Sequence, residues 1–145
     1  MRDYDERAGG DPLDRWQKPV RLEPIGHVAG CFDDQAMPEE IAATESRIVL
    51  DPRYVEGLAG IEAGDRVMVI FHFDRVTGCE LMQHPRGDTS RPKTGVFAIH
   101  TPFRPNPIGV TVVDLLAKEG NVLRVRGLDA LDGTPVLDLK RMRAD

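Results

Sequence analysis

The chain has 145 residues, 41% of them hydrophobic and 30% charged, with a formal net charge of −5. Those proportions fit one globular domain with a single core, and the acidic balance argues against a protein that coats nucleic acid. No apolar run approaches the roughly 20 residues of a membrane span, and the opening MRDYDERAGG holds no apolar stretch that would serve as a secretory signal. The expected address is the cytoplasm, with Cys31 and Cys79 as reduced thiols.

Residues 1–18 are charged and without period, which predicts a flexible arm; Trp16 is the one side chain there with enough apolar surface to pack down. From residue 19 onward the apolar residues come in short clusters rich in Val, Ile and Phe, bounded by Gly, Pro, Asn or Asp, and this is the strand signature. Only PEEIAATE and DPRYVEGLAGIEAG suit helical turns. RVMVIFHF alternates little, which predicts a central strand covered on both faces. In VLRVRGL, Leu123 and Val125 alternate with Arg124 and Arg126, so one face should be buried and the other wet. TVVDLLA precedes it across KEGN, and the following LDGT carries an Asp-Gly hairpin signal, so the second half reads as a meander. Seven or eight such strands predict a mainly β domain over residues 19–145, a single-sheet small barrel with short helical turns that closes on itself to remove its edges.

HTPFRPNPIGV holds three prolines in eleven positions. Each fixes its own φ and keeps the preceding residue out of the helical region, so Thr101, Arg104 and Asn106 should be extended and the loop stiff. Stiffness lowers the entropy lost on binding, and Arg104 and Asn106 stand out as presented groups. Between His84 and Gly109, four cations (Arg86, Arg91, Lys93 and Arg104) face one acid, Asp88, so the rest of the chain is more acidic than the total. An anionic ligand could use that local charge.

The sequence has no G-x-S-x-G elbow, Walker loop, G-x-G-x-x-G or C-x-x-C, and its four histidines fit no zinc spacing, so no metal is expected. Two longer stretches do point to a reaction. GVFAIHTPFRPNPIGVTVVDL followed by GLDALDGTPVLDLK resembles the paired motifs of the TsaA-like or TrmO family, and EPIGHVAG and LDPRYVEGLAGIEA fit earlier parts of it, so the likeness covers residues 23–140. The resemblance implies a homodimeric β-barrel that binds S-adenosylmethionine without a Rossmann fold. It also implies methylation of the exocyclic nitrogen of threonylcarbamoyladenosine beside the tRNA anticodon.

Position by position, the resemblance puts cofactor contacts at Pro38, Asp74, Arg75, His100, Val112 and the stretch Leu128, Asp129, Ala130 and Leu131. Arg104 and Asn106 match the family in type and position and are assigned to the substrate side, as the catalytic candidates. The alternative for those two is a tie between the loop and the barrel. Asp138 and Lys140 match a further motif piece, and there an ion pair between adjacent strands competes with catalysis. The chain departs from the family pattern at Glu39, Glu40, Asp65, Arg66, Ile99 and His100. A small-molecule acceptor and a non-catalytic cofactor-binding module therefore stay open as alternatives.

Overall fold

The computed structural model describes residues 11–30 and 38–143. The N-terminal stretch opens with one helical turn, α1 (Pro12–Arg15), and Trp16 beyond it is 71% exposed, so it does not pack down on the domain. Residues 1–10 of the expected arm, and Cys31, lie outside the described residues.

Six strands close one antiparallel barrel: β1 (Gly26–Ala29), β2 (Glu45–Leu50), β3 (Arg66–His72), β6 (Ile108–Glu119), β7 (Val122–Arg126) and β8 (Pro135–Arg141). They neighbour one another in the order β1-β2-β7-β6-β3-β8, with β8 returning to β1. Two shorter strands, β4 (Met82–Gln83) and β5 (Thr94–Gly95), pair apart from it as a hairpin. Of the two expected helical stretches, the first becomes α2 (Pro38–Ala43) and the second a 3-10 segment over Pro52–Leu58. The fold is the small single-sheet barrel that the strand pattern predicts.

Alternation sets the inner wall. Val28, Ile48, Leu50, Val67, Val69, Phe71, Val113, Leu115, Leu123, Val125 and Val136 all point inward and are buried. Each such side chain contributes about 1.5–3 kcal/mol relative to exposure. Arg124 and Arg126 face outward opposite Arg47 and Glu45 of β2, as the alternation of VLRVRGL requires.

Two expectations are corrected. β3 is hydrogen-bonded on both sides, but only Val67, Val69 and Phe71 are fully buried, while Met68, Ile70 and His72 are half-buried. A barrel strand has an inside and an outside. Its weak alternation arises because the outer face is apolar too, with Met68 and Ile70 beside Val112 and Val110 of β6.

The meander also ends early. β6 and β7 form a hairpin around Gly120 and Asn121, but β7 and β8 do not pair, and β8 lies between β3 and β1. The Asp-Gly of LDGT does make a tight turn, with Thr134 N donating to Leu131 O at 3.1 Å and Gly133 at a φ of 83°. Its partner is the end of β1: Gly133 N donates to Val28 O at 2.7 Å and Val28 N to Thr134 O at 2.9 Å. Closing the sheet outweighs the local hairpin preference, and the 127–134 connection crosses the barrel mouth as a result.

Candidate cofactor site at one end of the barrel

Strand direction collects the connections that matter. β1 pairs antiparallel with β2 and β8, and β3 with β6 and β8, so the 30–44, 73–107 and 127–134 connections all leave the same end of the barrel. Apart from Val112, every site residue expected from the sequence belongs to one of these three connections.

At the 127–134 connection, Leu128 and Ala130 are buried, Leu131 is half-buried and Asp129 is exposed. Asp132 accepts from Gly30 N through Oδ1 at 3.0 Å and so links this connection to the end of β1. Gly127 N donates to Thr44 O at 3.1 Å, which joins it to the segment that carries α2. Pro38 starts α2, and its side chain lies outside the described residues.

A hollow of about 420 Å³ opens here between Gly30, the first three residues of β2, Arg124 and Asp132. Its rim is charged: Glu45 takes Arg124 at 3.2 Å and Arg126 at 3.7 Å. Ser46 is buried, and its Oγ has no hydrogen-bond partner among the described residues. Gly30 leaves room beside it, because a Cβ at that position would lie 3.4 Å from Ser46 Oγ and 3.9 Å from the Ala130 carbonyl oxygen. A buried hydroxyl with no partner costs about 1–3 kcal/mol, so the Ser46 Oγ is a polar atom that a ligand in the hollow could satisfy.

The remaining residues lie at the roots of the 73–107 connection. Phe73 N donates to Pro107 O at 2.8 Å and zips the two roots together, with Asp74 and Arg75 exposed just beyond. Glycine is required at position 109, where a Cβ would lie 2.5 Å from the Phe71 ring and 2.7 Å from that of Phe73. Those rings meet edge to face at 5.1 Å, so the last residue of RPNPIG seats the proline loop on the core.

In that loop the Arg104 guanidinium is half-buried and donates through Nη1 to Ile99 O at 2.9 Å and Thr101 O at 3.2 Å. Asn106 and His100 are exposed, and the Asn106 carbonyl accepts from Ile108 N at 2.7 Å. Val112 stands apart from the hollow, on the outer face of β6 opposite Met68. Asp138 and Lys140 lie on the same strand, not on adjacent ones, and pair at 3.1 Å on an exposed face, a contact worth about 0–1 kcal/mol.

Sequence reading missed Gly30, Ser46, Arg47 and Arg124 as neighbours of the site. One signal was present, since Ser46 is a polar residue on the inward series with Ile48 and Leu50. Among the described residues, no group of three or more His, Cys, Asp or Glu could hold a metal ion, and no helix is long and apolar enough to cross a membrane. Cys79 is an exposed free thiol.

Residues 28–144 match the tRNA-methyltransferase O N-terminal domain. An S-adenosyl-L-methionine-binding protein of Archaeoglobus fulgidus is 39% identical over 123 residues, 83% of this chain and 87% of that one. A probable S-adenosyl-L-methionine-binding protein of Pyrococcus abyssi is 40% identical over 83% of this chain and 67% of that one. The tRNA (adenine(37)-N6)-methyltransferase of Mus musculus is 35% identical over 85% of this chain, which spans 31% of the mouse protein. The crystal structure of TrmO from Pseudomonas aeruginosa superposes with a TM-score of 0.69 at 32% identity, covering 87% of this chain and 57% of that one. By sequence and by fold together, this chain belongs to the tRNA-methyltransferase O N-terminal domain family.

Proposed function

We propose that this protein is an S-adenosylmethionine-dependent methyltransferase that methylates the exocyclic nitrogen of threonylcarbamoyladenosine beside the tRNA anticodon. The observation that carries the reading is a charged hollow lined by Gly30, Asp132 and Ser46, whose buried hydroxyl has no partner among the described residues, on the barrel end that also bears the 127–134 connection and the Arg104 and Asn106 loop. The residues fit the cofactor. The hollow lies within the roughly 300–1,000 Å³ of small-molecule clefts, and it offers an orphaned hydroxyl and both signs of charge for a zwitterionic amino-acid end. The bound cofactor supplies a methyl group on a sulfonium, a carbon open to in-line displacement.

The chain's own residues then do little covalent chemistry. Asp129 and the backbone of 128–131 hold the donor side, with Ser46 satisfied from the barrel mouth. Arg104 has donors beyond the Nη1 that ties the loop, and with Asn106 it orients the acceptor. Positioning of this kind supplies most of the acceleration in such a transfer. The acceptor nitrogen is acylated and weakly nucleophilic, so loss of its proton to water or a base during attack assists the step.

Two barrels pair as a homodimer in this reading, supported by the apolar outer face where Val110 is 50% and Ile108 36% exposed beside half-buried Met68 and Ile70. The net charge of −5 favours a second reading, transfer to a small-molecule acceptor. Mass spectrometry of anticodon-loop nucleosides from a deletion strain separates the two. Loss of the methylated nucleoside supports the tRNA enzyme, and an unchanged nucleoside pool overturns it.

A further inference from the structure

The 73–107 connection carries a small structured insert, and several of its polar side chains bond within it. Its core is the β4–β5 hairpin, with Met82 opposite Gly95 and Gln83 opposite Thr94. Gln83 Nε2 donates to Glu80 O and to Phe103 O, both at 2.6 Å, and so pins the hairpin to the proline loop. His84 Nδ1 lies 2.8 Å from Arg91 O. The Asp88 carboxylate accepts from the Ser90 hydroxyl at 2.6 Å and from Ser90 N at 3.0 Å, and these bonds, with a smaller contribution from His84, hold it below its ordinary pKa.

The cations are left over. Arg86, Arg91 and Lys93 are exposed, and among the described residues no carboxylate pairs with any of them. On the barrel strands Arg66, Arg124, Arg126 and Lys140 each lie within 4.0 Å of a carboxylate and Lys118 and Arg141 donate to the Leu58 and Gly60 carbonyls, while Arg47 pairs with no carboxylate among the described residues. Arg86 is also held at a φ of 54°, the one non-glycine residue with positive φ among those described. That backbone costs roughly 1–2 kcal/mol and persists only where its surroundings impose it.

Aromatic surface accompanies the charge. Phe97 is 78% and Phe103 45% exposed, although a stable loop has every reason to bury them. Unpaired cations and open aromatic faces carried on one connection are what unpaired RNA requires: phosphates meet the charges and a splayed base stacks on a ring. A protein partner of ordinary interface composition would not call for three lone cations, and the acidity of the rest of the molecule directs a polyanion to this surface.

We infer that the β4–β5 insert is the RNA-docking surface, with Arg86, Arg91 and Lys93 on phosphates and Phe97 stacking a base of the unpaired loop. The inference rests on the tRNA reading above, and it places the polynucleotide beside the barrel end that holds the methyl donor.

The test is fluorescence anisotropy of a labelled anticodon stem–loop RNA against the full chain, titrated over a range of salt. The triple variant R86A/R91A/K93A weakens binding and makes the slope of log K against log salt shallower by about 2, at about 0.7 per single-strand phosphate contact. Phe97→Ala weakens binding roughly 5- to 150-fold with the slope kept. Both variants hold S-adenosylmethionine as the unmodified protein does in calorimetry. If the unmodified protein binds the RNA and both variants bind it equally well, the insert is not the docking surface, although the tRNA reading survives. If the unmodified protein binds no RNA at low salt, the tRNA reading falls and takes the inference with it. If Phe97→Ala changes the particle mass but not RNA affinity, that ring belongs to a contact between copies and the stacking role is overturned.

Discussion

Ser46 shows how one side chain separates a binding site from a packing detail. It occupies an inward position between the end of α2 and Ile48, where an apolar residue would complete the wall, and its buried hydroxyl has no partner among the described residues. If nothing binds there, alanine removes a liability of about 1–3 kcal/mol, so Ser46→Ala should melt at the same temperature as the unmodified protein or above it. If the cofactor takes that hydroxyl, the same change costs one neutral hydrogen bond, about 0.5–1.5 kcal/mol, or roughly a 2- to 13-fold weaker Kd in calorimetry. The account predicts both effects together. A variant with unaltered cofactor affinity would place the seat away from β2.

The proline loop is the element on which two roles meet. Pro102, Pro105 and Pro107 predict a stiff loop, and the structure adds the reason for Gly109, which the Phe71 and Phe73 rings exclude from carrying a side chain. Arg104 ties the loop through Ile99 O and Thr101 O, so Arg104→Ala should lower the melting temperature by a few degrees. If its remaining donors hold the acceptor, losing a charge-assisted bond of about 1.5–3 kcal/mol lowers kcat/KM roughly 10- to 150-fold per folded molecule. Kinetics corrected for the folded fraction check this, and full activity per folded molecule would leave Arg104 as a tie alone. Strands were legible wherever inside and outside differ in polarity, as at Leu123 and Val125 against Arg124 and Arg126. They were misread where that contrast fails. Met68 and Ile70 make the outer face of β3 apolar, and the Asp-Gly turn signals a local reversal without saying which strand receives it. Pairing of β8 with β3 and β1 is decided by barrel closure, a long-range event that no short window of sequence contains, and the position of Ser46 against Gly30 depends on that same closure.

At the scale of the molecule, the barrel separates its tasks. Leu58 and Ile61 of the 51–65 connection join the core at one end, while the other collects three connections that carry the hollow, the proline loop and the basic insert. If the apolar outer face of β3 and β6 pairs with a second copy, light scattering should report about twice the 16.1 kDa of one chain. A particle of one chain's mass at all concentrations would contradict the pairing. The central claim is methyl transfer from the donor held at the barrel mouth to the modified adenosine beside the anticodon. It is tested most directly by incubating the purified chain with S-adenosylmethionine and tRNA that carries threonylcarbamoyladenosine, then reading the nucleosides by mass spectrometry. The account predicts one added methyl group on that nucleoside, dependent on Arg104. Unmodified nucleoside at the end of the reaction, from protein that binds the cofactor tightly, would contradict it.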